Sequence, residues 1–171
     1  MAVNGDDGSV LWDSYAIPNT PISTADTAAG TKIFAPSGAP VWTSPTIDVD
    51  RNLLIFGTGE NYSSPADQNS DAVIAVRLDT GERLWSRQTF PEDAWNVACM
   101  MVDNPNCPEE DGPDYDQASS PLLVDIGAGK TVVVAGQKDG RVFALDWETG
   151  QNKLWEVKLG RGSIQGGVHF G

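Results

Sequence analysis

The residues able to do chemistry are concentrated in the middle of this 171-residue chain. From Gln88 to Gly129 there are nine acidic side chains, Asp93, Asp114 and Asp116 among them, and no Lys or Arg. A loop-rich acidic run of this kind either helps to hold a cation or forms a solvated rim. Cys99 and Cys107 bracket "MMVDNPN" inside it. An even pair flanking a short Asn-Pro loop reads as a disulfide in an oxidising compartment. With no His or further Cys nearby, the pair does not read as a metal site. The single histidine, His169, leaves no two-histidine zinc site within the chain and reads as structural. No phosphate loop opens a helix, and no G-x-S-x-G elbow is present. Lys138 sits in the turn "GQKDG", where a lone lysine is ordinarily a solvated charge. The net charge of −13 argues against nucleic-acid or anionic-membrane partners.

These groups must be positioned by a repeat. "DAVIAVRLDTGERLW" ends at Trp85, "GRVFALDWETGQNKLW" at Trp155, and a degraded copy, "AVNGDDGSVLW", at Trp12. Each copy carries a small residue (Ala2, Ala75, Ala144), a turn Gly (Gly8, Gly81, Gly150) and the Trp, and the tryptophans fall 73 and 70 residues apart. Near-constant spacing marks a repeat architecture. Upstream of Trp85 and Trp155, both copies open on Ser-Pro and run through apolar stretches broken by polar and Gly turns. Such runs read as antiparallel strands, near Thr46–Val49, Leu53–Gly57, Ala72–Leu78 and Arg83–Gln88, then Leu122–Ile126, Thr131–Gly136, Arg141–Asp146 and Lys153–Lys158. Four strands per unit is the pattern of a propeller blade. The fold expected is all-β, a partial β-propeller of about two and a half four-stranded blades. Residues 1–15 read as the end of one blade, 38–90 as a second, 91–119 as an acidic insert with the Cys pair, 120–160 as a third, and 161–171 as the start of another. A closed propeller typically has four to eight blades, so the chain is expected to be a segment of a larger ring.

The A-x-D-x-x-T-G-x-x-x-W line resembles the tryptophan-docking motif of pyrroloquinoline-quinone (PQQ) dehydrogenases, which are eight-bladed propellers. Arg77 stands where Asp is usual in the second copy, and the third carries Asp146 with one extra residue before Trp155. The resemblance implies that these tryptophans tie neighbouring blades together. It also implies a site. In "GAPVWTSP", Trp42 resembles the floor on which the PQQ ring stacks. In "GTGEN", Glu60 or Asn61 resembles the ligand of a Ca²⁺ that bridges protein and cofactor, and hard Ca²⁺ prefers oxygen donors. "DAWN" resembles the segment that carries the general base, with Asn96 in the place of the usual Asp. An amide cannot take a hydroxyl proton, so Asp93 is the expected replacement, with Asp114 and Asp116 as alternatives. Lys138 matches the cation that faces the quinone oxygens and stabilises developing negative charge.

The arrangement W-N-x-x-C, N-x-x-C, G-P-D-x-D is similar to that of polyvinyl-alcohol dehydrogenase-like enzymes, periplasmic oxidisers of secondary alcohols. The resemblance therefore implies PQQ and Ca²⁺ as cofactors, a small or polymeric alcohol as substrate, and an electron acceptor such as a cytochrome c. It further implies the rest of the propeller as a partner and a periplasmic or secreted location. The competing reading is a non-catalytic propeller scaffold built from PQQ-like repeats. The two part on geometry: an enzyme must bring Trp42, Glu60 or Asn61, Asp93 or Asn96, and Lys138 to one place, and a scaffold has no reason to.

Overall fold

In a computed structural model, which describes residues 1–151 and 153–170, the chain is all-β. Two hairpins come first: β1 (Ala2–Val3) with β2 (Val10–Trp12), and β3 (Ile22–Asp26) with β4 (Lys32–Ala35). Two four-stranded antiparallel meanders follow. The first comprises β5 (Thr46–Asp48), β6 (Leu53–Gly57), β7 (Ala72–Arg77) and β8 (Arg83–Gln88). The second comprises β9 (Leu122–Gly127), β10 (Lys130–Gly136), β11 (Arg141–Asp146) and β12 (Lys153–Lys158). The only helical element among the described residues is one 3₁₀ turn, Val97–Met100. The β3–β4 hairpin is an addition to the strands expected from sequence.

The repeat is visible in the register. Ala2 pairs with Trp12, Ala75 with Trp85 and Ala144 with Trp155. In the two full sheets the ladder shifts just after the Ala, between Ala75 and Val76 and between Ala144 and Leu145. A small residue opposite each Trp leaves room for the indole to leave its own sheet. It then docks on the next unit: Trp12 Nε1 donates to Leu78 O at 3.0 Å, and Trp85 Nε1 donates to Trp147 O at 3.0 Å. The rings lie on the turn glycines. A Cβ on Gly81 would overlap the Trp12 ring, and one on Gly150 the Trp85 ring, while both glycines hold positive φ, at 70° and 64°.

Strand alternation sorts the core into two layers. Leu53, Ile55, Val73 and Ala75 face Val133, Phe143 and Leu145 of the second sheet, with Trp85 in the same cluster. Phe56, Ala72, Ile74 and Val76 face the other way, onto Trp12 and Ala16. The central strands β6 and β7 are thus buried on both faces. The layers were set by period-two patterning and the inter-blade contacts by Trp and Gly.

Candidate active site

The candidate site is mounted on loops that extend the blades. Residues 38–42 run antiparallel to 57–61 beyond the end of β6: Trp42 N donates to Gly57 O at 3.0 Å, Gly59 N to Pro40 O at 3.0 Å, and Ala39 N to Glu60 O at 2.7 Å. This ladder sets Trp42 and Glu60 close to each other. Asn61 then makes a parallel bridge to Ala94, and Ala94 another to Asp111. The acidic insert is thereby stitched beside the GTGEN turn. On its far side Gln117 N donates to Thr58 O at 3.1 Å, and Lys138 N donates to Asp116 O at 3.0 Å. Three segments far apart in sequence meet at one corner.

Four buried titratable groups occupy that corner. The Lys138 ammonium donates to Asp114 Oδ2 at 3.0 Å and makes a closer contact with Asp116. It also lies 5.5 Å from the centroid of the Trp42 ring, within cation–π range. One oxygen each of Glu60, Asp114 and Asp116 lies within 4.8 Å of the others. Glu60 N donates to Asp116 Oδ1 at 3.1 Å, and Gly59 permits this approach, since a Cβ there would sit 2.5 Å from the same oxygen.

The electrostatics follow from burial and crowding. Burial, then the neighbouring Asp116, pushes the Glu60 carboxyl up to about 9, so it holds a proton at neutral pH when no cation is present. Burial and the charge of Asp116 lift Asp114 to about 6, with Lys138 limiting the rise. For Lys138, burial alone would lower the pKa, but the two aspartates outweigh it and hold the ammonium charged.

The remaining expected residues lie elsewhere. Asn61 is fully buried, and its amide is engaged by Ser37 O at 2.8 Å and by Asp67 N at 2.6 Å. Asn96 caps the 3₁₀ turn by accepting from Ala98 N, and donates to Tyr62 O and Asn106 O. Asp93 is fully buried just behind the site, where its carboxylate accepts from Asp114 N at 3.4 Å and Tyr115 N at 2.9 Å. Cys99 and Cys107 are joined in a disulfide, with Cα atoms 4.8 Å apart. The corner therefore gathers Trp42, Glu60 and Lys138 with Asp114 and Asp116, while Asn61, Asp93 and Asn96 build the frame around it. Tyr62, two residues beyond Glu60, was not singled out by sequence; no repeat or spacing distinguishes it from an ordinary loop aromatic.

The donor set suits a hard divalent cation: three carboxylates, all oxygen, close together and buried. The Trp42 ring suits a flat aromatic ligand. It is 51% exposed although its backbone is tied into the ladder, and an ammonium stands beside it.

Comparison with known proteins agrees with this architecture. The family described as the PQQ glucose/ethanol/alcohol dehydrogenase β-propeller domain matches residues 2–161. The chain belongs to this family. It is 33% identical over 171 residues to a polyvinylalcohol dehydrogenase of Pseudomonas sp., an alignment that covers all of this chain and 26% of that protein. It is 34% identical over 173 residues to a polyvinylalcohol dehydrogenase of Sphingopyxis sp., again covering 26% of that protein. Among solved structures, a quinohemoprotein alcohol dehydrogenase of Pseudomonas putida superposes with a TM-score of 0.64 at 22% identity, over 92% of this chain and 23% of that one, and shows the shared fold. The chain spans about a quarter of the length of the curated relatives it matches.

Proposed function

We propose that this segment forms the metal- and quinone-facing corner of a PQQ-dependent alcohol dehydrogenase. Its substrates are secondary alcohols, polyvinyl alcohol included, and its electrons pass to a respiratory acceptor such as a cytochrome c. The observation that carries the reading is Lys138, buried between Asp114 and Asp116 and 5.5 Å from the centroid of a half-exposed Trp42 ring. A scaffold gains nothing from burying an ammonium and three carboxylates beside an open aromatic face, since buried charge is costly.

When bound, PQQ supplies the two-electron acceptor. Trp42 offers the surface for its ring, and Lys138 a fixed positive charge for the oxygens that gain electron density. Glu60 and Asp116 would hold the Ca²⁺, with Glu60 giving up the proton it keeps in the cation-free chain. Asp114 takes the hydroxyl proton of the alcohol. In the cation-free chain burial and Asp116 raise its pKa to about 6, above that of an ordinary carboxylate, which makes it the stronger base. Asp93 fits this role less well, because backbone N–H groups already occupy its carboxylate; it positions the Asp114–Tyr115 turn instead. The Cys99–Cys107 disulfide supports a periplasmic or secreted location, and the remaining blades of the ring are the segment's structural partner.

In the full-length protein loaded with PQQ and Ca²⁺, Asp114→Asn is expected to lower kcat by about 10²–10⁴-fold while PQQ stays bound. Trp42→Ala is expected to weaken PQQ binding by ~1–3 kcal/mol. Normal turnover by Asp114→Asn would remove the base from Asp114, and unchanged PQQ affinity in Trp42→Ala together with normal turnover would remove the enzyme reading for this corner.

A further inference from the structure

A groove of about 480 Å³ lies next to this corner, between the β3–β4 hairpin and the loop closed by the disulfide. The hairpin contributes Thr24, Ala25 and Ile33, and the loop contributes Pro105 to Glu110. Tyr62 connects the two places. It lines the groove, it follows Glu60 by two residues, and Asn96 ties its carbonyl to the one on Asn106.

The lining is of two kinds. Ile33, Pro65, Pro105 and Pro108 present apolar surface, while Asp26, Glu109 and Glu110 present carboxylates. Its lining residues include no Lys or Arg; Lys32 pairs with Asp26 at 3.0 Å, which leaves Glu109 and Glu110 in excess. Anionic chains are repelled by such walls, whereas a neutral chain of alternating methylenes and hydroxyls can bury the former and donate hydrogen bonds from the latter. The far wall is rigid. Two prolines and the disulfide restrain it, and Ser64 Oγ, itself bonded to Glu110, accepts from Glu109 N at 2.8 Å, so little ordering opposes binding.

We propose that this groove is a subsite for the chain of a polymeric alcohol, holding the repeats that flank the hydroxyl under oxidation. The inference rests on the functional reading above and deepens it. It assigns polymer selectivity to the β3–β4 hairpin and the disulfide loop and leaves the proton transfer to Asp114.

The test is equilibrium binding of poly(vinyl alcohol) to the cofactor-free full-length protein, alongside turnover of pentane-2,4-diol by the PQQ-loaded enzyme. Ala25→Trp plugs the groove from an exposed strand. It is expected to weaken polymer binding by about tenfold or more, ~1.4 kcal/mol per decade, with the diol's kcat and KM unchanged. Thr24→Ala, a milder change that keeps the fold, is expected to weaken polymer binding by a smaller factor in the same direction. Poly(acrylic acid), the anionic counterpart, should not compete. Unchanged polymer affinity in both variants, or equal loss of polymer and diol, overturns the subsite, as does competition by poly(acrylic acid). If the wild-type protein binds the polymer through the groove but oxidises no alcohol, the enzymatic reading fails and the subsite stands. If it oxidises the diol while polymer binding ignores the groove, only the subsite falls.

Discussion

The two full blades carry the same repeat but bury it differently. In the β5–β8 blade, β7 is buried at every position but its last, and Trp85 on β8 is 6% exposed. In the β9–β12 blade every described position of β12 is exposed, and Trp155, in the same place on the repeat, is 46% exposed. The strands, the register opposite Ala and the bulge are alike. What differs is the neighbour: Trp85 lies on Gly150 of the next unit, and no described residue plays that part for Trp155. The repeat therefore specifies a surface, and its energy is realised only at a junction between units.

The junction can be broken from either side. In this chain Trp85→Ala is expected to cost about 3–5 kcal/mol by urea denaturation, since it empties a site shared by both sheets. A loss below 1 kcal/mol would show that the two blades are stable independently of their contact. Gly150→Ala attacks the same junction from the partner. It forces a methyl against the Trp85 ring at a φ of 64° and is expected to cost about 2–3 kcal/mol. Gly8, with a φ of 73° and open space around it, provides the control: Gly8→Ala should cost only the ~1–2 kcal/mol of its backbone conformation.

A smaller effect separates the blades at the residue before the third strand. Asp71 before β7 and Gly140 before β11 both hold positive φ, at 49° and 87°. Gly140 adopts this freely, whereas Asp71 is fully buried there with neither carboxylate oxygen hydrogen-bonded. Burial, then the charge of Asp93, lifts its pKa well above the ordinary carboxylate range. The folded chain thus binds this proton more tightly than the unfolded one. The stabilisation it gives is complete below the unfolded pKa of about 4 and is lost as pH rises above that value. Stability should fall as pH rises above about 4, and Asp71→Gly, which copies the other blade, should flatten that slope and raise stability at neutral to alkaline pH by ~1 kcal/mol. A slope unchanged by Asp71→Gly would assign the pH dependence to other groups. Least of all, Trp155→Ala should cost under ~1 kcal/mol in this chain, a surface value; a loss rivalling that of Trp85→Ala would contradict the comparison.

Much of the frame could be read from residues alone, because Gly turns, period-two patterning and a repeated Trp are local signals. The strands of both full blades start and stop within a residue of expectation. The β3–β4 hairpin could not be read in this way: Ile22–Asp26 is exposed throughout, so burial imposed no alternation on it. At the site, the nearness of Trp42 to Lys138 follows from their places in the repeat. The choice between Glu60 and Asn61 does not, because adjacent residues on an extended strand face opposite ways. Glu60 turns towards Asp116, and Asn61 towards Ser37 and Asp67. Nor does the sequence separate Asp93 from Asp114. The difference lies in two backbone N–H groups that reach Asp93 only after the acidic insert folds back.

The hairpin that presents Trp85 also contains Gly81, the seat for Trp12. Key and lock are thus encoded within a few codons of each other. A duplicated stretch of gene inherits both and can fit between existing neighbours without any change in them. Growth of such an array by copying needs no matching mutation elsewhere. The Trp–Gly contact therefore does not count the members of a ring. Their number must be fixed by something the contact leaves free, the angle at which successive sheets meet.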